Sequence, residues 1–282
     1  MGEVRVTVLV DNYVRRQGLL AEHGWACWVE TPAGRVLFDT GQGWALWHNV
    51  RELGIALETA DALVLSHGHY DHTGALAGVL ERAPGARVYA HPAALDAKYG
   101  RSSDGRVRAI GVPQEGVGVR ARLAPRLVPT RGPTEIGPGV WVTGEVPRVT
   151  DFERPSGGFY LDAAEGVPDP VLDDQALLLH TAAGIVVVLG CAHAGVVNTL
   201  QFVRTLQPRE PIAAVLGGMH LSGASEERIL RTVEALAALD VREVVPAHCT
   251  GQAARAKLAA GLPGRCLSAE VGAVFEFSSG EG

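Results

Sequence analysis

The chain has 282 residues, 47% of them hydrophobic, which is enough to bury a large core as one large domain or two ordinary ones. Its net charge of -6, with 25 Lys and Arg and no basic run, argues against a partner held mainly through its phosphates, because such binding uses clustered cations. The opening residues lack the basic and apolar pattern of a secretory signal, the apolar run Gly184–Gly190 is far short of the roughly 20 residues that span a bilayer, and the four cysteines read as thiols, so a cytoplasmic protein with no membrane or nucleic-acid partner is expected.

In chain order, strands are predicted at Val4–Val10, Ala26–Glu30 and Arg35–Phe38 as an antiparallel meander, and then at Ala62–Leu65. Apolar residues at helical spacing mark Leu46–Leu53 and Gly74–Ala83. From about residue 99 to 170 the chain is rich in Gly, Pro and Arg, with strand-like pieces at Val140–Thr143 and Phe159–Leu161, and is expected to form loops and short strands over a site. The back half repeats strands at Ala176–Leu179, Ile185–Leu189, Ile212–Leu216 and Arg242–Val245, with helices after three of them. One of these helices starts at the N-cap Ser225, carries Ile229, Leu230, Val233 and Leu236 on its apolar face and is closed by Asp240. Two β-rich halves with outer helices predict an α/β four-layer αββα sandwich over residues 1–282 as a single domain.

The segment Ala62-Leu-Val-Leu-Ser-His67-Gly-His69-Tyr-Asp71-His72-Thr-Gly74 places three histidines and an aspartate in six positions at the end of an apolar strand. Alternate side chains of an extended segment point the same way, so His67 and His69 can share one ion. Asp71 and His72 then face a second. Imidazole and carboxylate donors suit zinc, iron or manganese better than calcium or magnesium. His193 and His248 also lie just beyond apolar strands, where ligands recruited from several strand ends complete a metal site.

His67-Gly-His69-Tyr-Asp71-His72 resembles the H-x-H-x-D-H signature of the metallo-β-lactamase superfamily, Asp39-Thr-Gly resembles its upstream aspartate motif, and His193 and His248 fall at its later ligand positions. Leu19-Leu-Ala-Glu22-His23-Gly, Thr143-Gly-Glu145-Val-Pro-Arg148, Asp174-Gln-Ala-Leu, Gly190-Cys-Ala-His193, Gly217-Gly-Met-His220-Leu and His248-Cys-Thr-Gly251 are similar to the branch named for 7,8-dihydropterin-6-methyl-4-(β-D-ribofuranosyl)aminobenzene-5′-phosphate synthase. The resemblance implies the αββα fold, two divalent transition-metal ions with zinc foremost, and a phosphorylated or diphosphate-bearing substrate. It departs from the superfamily at Gly217-Gly218-Met219-His220, where many members supply a metal-bridging aspartate.

The expected metal ligands are therefore His67, His69, Asp71, His72, His193 and His248, with Asp71 and His220 assigned to the chemistry. His220 is read either as a ligand or as a substrate contact. Asp39 is expected to stand behind a ligand histidine and hold its second nitrogen. His23, Arg148 and Arg154 are candidate contacts to an anionic small molecule. His48, His91 and His180 are read as ordinary histidines, and Cys191 and Cys249 as small thiols packing as hydrophobes. The expected activity is hydrolysis, or transfer at a diphosphate-bearing carbon, through a water activated by two metals. A thioester hydrolase resembling glyoxalase II and a metal-binding or ligand-sensing protein without turnover are the alternatives, and a homo-oligomer is compatible with the sequence.

Overall fold

The computed structural model describes residues 2–102, 104–113, 119–153 and 158–279. Seven strands form the first sheet, in the order β16 (Val274–Ser278), β1 (Glu3–Val10), β2 (Ala26–Thr31), β3 (Gly34–Phe38), β4 (Ala62–Val64), β5 (Arg87–Ala90) and β8 (Leu127–Pro129). Six form the second, in the order β15 (Glu243–Ala247), β14 (Ile212–Gly218), β13 (Gly184–Leu189), β12 (Leu177–Thr181), β10 (Val140–Val142) and β9 (Thr134–Gly137). Strands β6 (Tyr99–Arg101), β7 (Val107–Ala109) and β11 (Phe159–Tyr160) make a small separate sheet.

Period-two alternation divides the apolar residues between layers. In β13, Val186 and Val188 point between the sheets, while Ile185, Val187 and Leu189 point outward onto helices. A strand buried on both faces must be apolar throughout, which is why this run does not alternate in sequence. The inter-sheet layer also takes Val4, Val6 and Val8 of β1, Phe38 of β3 and Leu216 of β14. A bulge between Val8 and Val10 then shifts the parity of β1, and Val10 packs on the outer face. The helices α1 (Trp44–Glu52) and α3 (Leu76–Arg82) cover the first sheet, and α5 (Val196–Leu206), α6 (Glu226–Ala238) and α7 (Gln252–Gly261) cover the second, which completes the four-layer αββα sandwich. Two short helices, α2 (Tyr70–Thr73) and α4 (Val119–Leu123), lie between these.

Helix α6 begins as expected, with Ser225 Oγ accepting the Arg228 N–H at 3.2 Å, and ends before Asp240 in the left-handed region at φ 51°. Its buried face is Ile229, Thr232, Val233 and Leu236. Leu230, expected on that face, is 48% exposed, since it sits one residue and about 100° around the helix from Ile229. The stretch from 99 to 170 is more than cover for a site, because β8 extends the first sheet and β9 and β10 edge the second. Strand β16 carries alternately exposed residues and pairs antiparallel with β1 through Val4 and Phe277. Its half-exposed pattern is weak, and sequence reading passed over it. Among the described residues, no helix is long and apolar enough to cross a membrane.

Candidate metal centre

Strands β3, β4, β13, β14 and β15 lie in parallel arrangements, and the expected site residues follow their C-terminal ends. Asp39 follows β3, His67 to His72 follow β4, His193 follows β13, His220 follows β14 and His248 follows β15. Backbone conformation turns several of them inward. Asp39, Ala192, His220 and His248 all have positive φ, between 43° and 60°, a region that costs a non-glycine residue on the order of 1–3 kcal/mol.

Buried hydrogen bonds aim the first-sheet donors. Asp39, fully buried, accepts the Ser66 N–H at 2.7 Å, the Ser66 hydroxyl at 2.6 Å and the His72 Nδ1–H at 2.7 Å. Because Ser66 gives its proton to Asp39, its oxygen accepts from His67 Nδ1 at 2.9 Å. His67 therefore turns Nε2 inward, 3.0 Å from His69 Nδ1. Asn12 Oδ1 likewise takes the His248 Nδ1–H at 2.9 Å and leaves His248 Nε2 facing Asp71 Oδ2 at 3.3 Å. His23 Nε2 reaches the same Asp71 oxygen at 3.2 Å, although its side chain is 55% exposed.

Glu22 explains how His23 is delivered. Its carboxylate accepts the N–H groups of Gln42, Gly43, Trp44 and Ala45 at 2.9–3.2 Å, anchoring this loop to the unsatisfied donors at the start of α1.

The electrostatics separate the histidines into two kinds. Burial holds His69 down at about 3, and burial followed by neighbouring imidazoles holds His67 and His193 well below their ordinary value, so these rings are neutral. Burial also opposes charge on His72, but Asp71 and Asp39 outweigh it and raise that ring to about 9. Asp71 stays ionised against its own burial through His72, His23 and His248.

The donors fit transition-metal ions. His193 Nε2 and His248 Nε2 are buried without a hydrogen-bond partner, an arrangement that is costly unless something accepts their lone pairs. The ligand atoms of His67, His69 and His193 all lie within 4.8 Å of one another, as do those of His23, Asp71 and His248. Tetrahedral bonds of about 2.05 Å place two imidazole nitrogens roughly 3.3 Å apart, close to the 3.0 Å between His67 and His69.

Several neighbours of this site escaped the sequence. Lys98, 2% exposed, pairs with Asp169 at 2.8 Å and Asp173 at 2.9 Å, and Asp173 accepts the N–H of Gly68, between two expected ligands, at 2.7 Å. Phe159 packs tilted against His69 and edge-on against His193, with centroids 5.1 and 5.3 Å away. Cys191 Sγ, set aside from sequence as a packing atom, lies 3.2 Å from His72 Nε2. Burial pushes its thiol well above the ordinary value. No residue type flagged Lys98 or Phe159, because their partners are distant in sequence.

Arg148 sits apart from the imidazoles. It donates to Val171 O at 3.2 Å and lines a cavity of about 370 Å³ with Asp174 and Ala194, behind the His193 turn. Arg154 lies outside the described residues. His220 packs against His193 with centroids 4.4 Å apart and ring planes tilted by 49°, and keeps a buried Nδ1 without a partner.

Residues 21–248 match the metallo-beta-lactamase superfamily. The 7,8-dihydropterin-6-methyl-4-(β-D-ribofuranosyl)-aminobenzene-5′-phosphate synthase of Methanocaldococcus jannaschii is 28% identical over 261 residues, 88% of each chain. An uncharacterized protein of the same organism is 33% identical over 256 residues, 90% of this chain and 93% of that one. A solved structure described as a metal-dependent hydrolase of the beta-lactamase superfamily superposes with a TM-score of 0.81 at 32% identity, over 98% of this chain and all of the other. With the strand-end donors and the four layers, these matches make the chain a member of the metallo-β-lactamase superfamily.

Proposed function

We propose that the protein is a cytoplasmic metal-dependent hydrolase of small phosphorylated molecules, or a transferase displacing diphosphate from carbon, working with a water activated by two divalent transition-metal ions. The observation that carries this reading is the set of buried imidazole nitrogens without partners at one end of the sandwich. His67, His69 and His193 would hold one ion, and Asp71, His72 and His248 the other. Zinc suits these donors best, with iron and manganese next. Two ions there supply Lewis-acid polarisation and bring the pKa of a water toward neutral.

The chain's own residues do the rest. Asp39 and Ser66 hold Nδ1 of His72 and His67, so that Nε2 of both rings points inward, bare in His67 and freed in His72 when an ion takes the place of its proton. Asp71 Oδ2, ionised and facing His23 Nε2, is an atom on which a proton can rest before passing outward through the half-exposed imidazole. Phe159 covers His69 and His193 and limits bulk water. His23 at the rim and His220 beside His193 are placed to touch the substrate, and Arg148 is one cavity further out. The phosphate in the product name of the Methanocaldococcus jannaschii synthase favours a phosphorylated substrate over a thioester.

Purification without chelator, followed by elemental analysis and assays on diphosphate, phosphodiester and thioester substrates, tests the reading. About two metal ions per chain and turnover of a phosphorylated compound are expected. A protein that holds no metal and takes none up overturns it. Two metals with thioester turnover alone would make it a glyoxalase II-like enzyme, and two metals with no turnover a sensing protein. His220→Ala, with metal content and kinetics read on one preparation, assigns that residue: reduced occupancy makes it a ligand, and full occupancy with about a 100-fold lower kcat/KM makes it a substrate contact.

A further inference from the structure

We propose, building on the two-metal reading, that Cys191 is itself a metal ligand, its thiolate joining the donors of the two metal positions to one another. Five groups of three donors lie close enough to share an ion, and Cys191 belongs to three of them: with His67 and His72, with His193 and His220, and with His248 and Cys249. No other residue in these groups belongs to more than two. Its sulfur therefore borders both His67 and His193 on one side and His72 and His248 on the other. The His72 contact at 3.2 Å is made by Nε2, the nitrogen opposite the one that Asp39 holds.

The neighbouring unpartnered atoms also point to an ion. His193 Nε2, His220 Nδ1 and His248 Nε2 are buried without hydrogen bonds, and each of these residues shares a group with Cys191. Ions held at His193 and His248 would therefore lie beside the Cys191 sulfur.

Glycines on both sides make the approach possible. A Cβ on Gly190 would stand 2.0 Å from Ser66 Oγ, and a Cβ on Gly218 would stand 2.4 Å from Gly190 O and 2.6 Å from Cys249 Sγ. The absence of side chains at these two positions lets the β13 and β14 ends pack against the Ser66 and Asp39 network and sets Cys191 beside His72. Ligation breaks the S–H bond, forms a sulfur–metal bond and releases one proton to solvent, with no change in oxidation state. A soft sulfur donor biases the pair of sites toward zinc or iron and away from manganese and magnesium.

Cobalt(II) added to the chelated full-length chain tests this directly, because thiolate ligation gives an intense near-ultraviolet charge-transfer band that imidazole and carboxylate ligation do not. The band is expected in the wild type and in Cys249→Ser, and absent from Cys191→Ser, which should also bind cobalt about tenfold or more weakly. Wild-type protein that takes up two cobalt ions without the band overturns the thiolate and leaves the two-metal reading standing. Wild-type protein that takes up no cobalt removes both. A band that survives Cys191→Ser, or disappears in Cys249→Ser, also overturns the assignment to Cys191. Should Cys191→Ser fail to fold, the wild-type and Cys249→Ser spectra still decide, since Cys27 lies between the two sheets and Cys266 packs on the outer layer of the second.

Discussion

On the first sheet, His67 and His72 are aimed by a chain of buried side-chain hydrogen bonds running through Ser66 and Asp39, and the loop between His67 and His69 is tied down by Asp173 and Lys98. On the second sheet, the turns at Ala192, His220 and His248 use left-handed backbone and side-chain-free glycines to bring their donors in. The first arrangement rests mainly on buried charge, with only Asp39 in left-handed backbone, and the second mainly on strained turns, with only His248 also held by side-chain hydrogen bonds. A hydrogen-bonded framework fails when one partner is removed, whereas a strained turn fails when it is crowded and tolerates being relaxed.

Lys98→Met is the sharpest way to break the first arrangement. It leaves Asp169 and Asp173 buried without their cation, so urea denaturation should show a loss of about 3–5 kcal/mol. Metal affinity, read by competition with a chelator, should fall at least about tenfold as Gly68 loses its fixed acceptor. Unchanged stability would mean that this ion pair is solvated in solution.

Gly218→Ala crowds the second arrangement. The new methyl meets Gly190 O and Cys249 Sγ, and overpacking of this kind should cost about 1–3 kcal/mol in the same measurement.

Acid separates the neutral histidines from the charged one. Burial keeps His69 near 3 while an unfolded chain titrates at 6.5, so the stability it contributes is present above pH 6.5 and is lost as the pH falls toward 3. His72 has the opposite sign, because its folded value of about 9 makes its contribution complete below 6.5 and lost as the pH rises through 9. The chelated protein should therefore lose about 2 kcal/mol through His69 alone between pH 6.5 and 5, measurable as a lower denaturation midpoint.

The smallest effect is expected from Ala192→Gly. Glycine at an ordinary position costs about 0.5–1 kcal/mol, but Ala192 sits at φ 53°, where glycine is unstrained. The variant should stay within about 0.5 kcal/mol of wild type, and a larger loss would show that this turn is held by packing and not by strain.

The contrast also sorts what could be read from the sequence. The His67 to His72 cluster was legible because strand period and loop density put its donors in six adjacent positions, and the apolar strands announced the layers. His193 and His248 were legible through their strand-end contexts, and His220 only through the family resemblance. Lys98 was not, since its partners lie 71 and 75 residues away and nothing local distinguishes a buried lysine from a solvated one. The contact of Cys191 with His72 was not legible for the same reason, since His72 lies 119 residues earlier. Leu230 was placed on the wrong face of α6, where an apolar residue next to the buried stripe was counted with it.

The clasp on His248 has a consequence for how the molecule is made. Asp11 Oδ1 accepts the His248 N–H and Asn12 holds its ring, over separations of 237 and 236 residues, and β16 must lie against β1 before the first sheet has its outer edge. During synthesis the segment carrying His67 to His72 emerges with most of the chain still unmade, as an open chelating surface with neither its far wall nor its last donor. Closing a loop of this length is slow compared with forming local helices. Under the two-metal reading, an ion delivered early would meet a half-site with exchangeable ligands, and only the joining of the two chain ends would turn that half-site into an enclosed centre, which would make selection of the ion a late event in the life of each molecule.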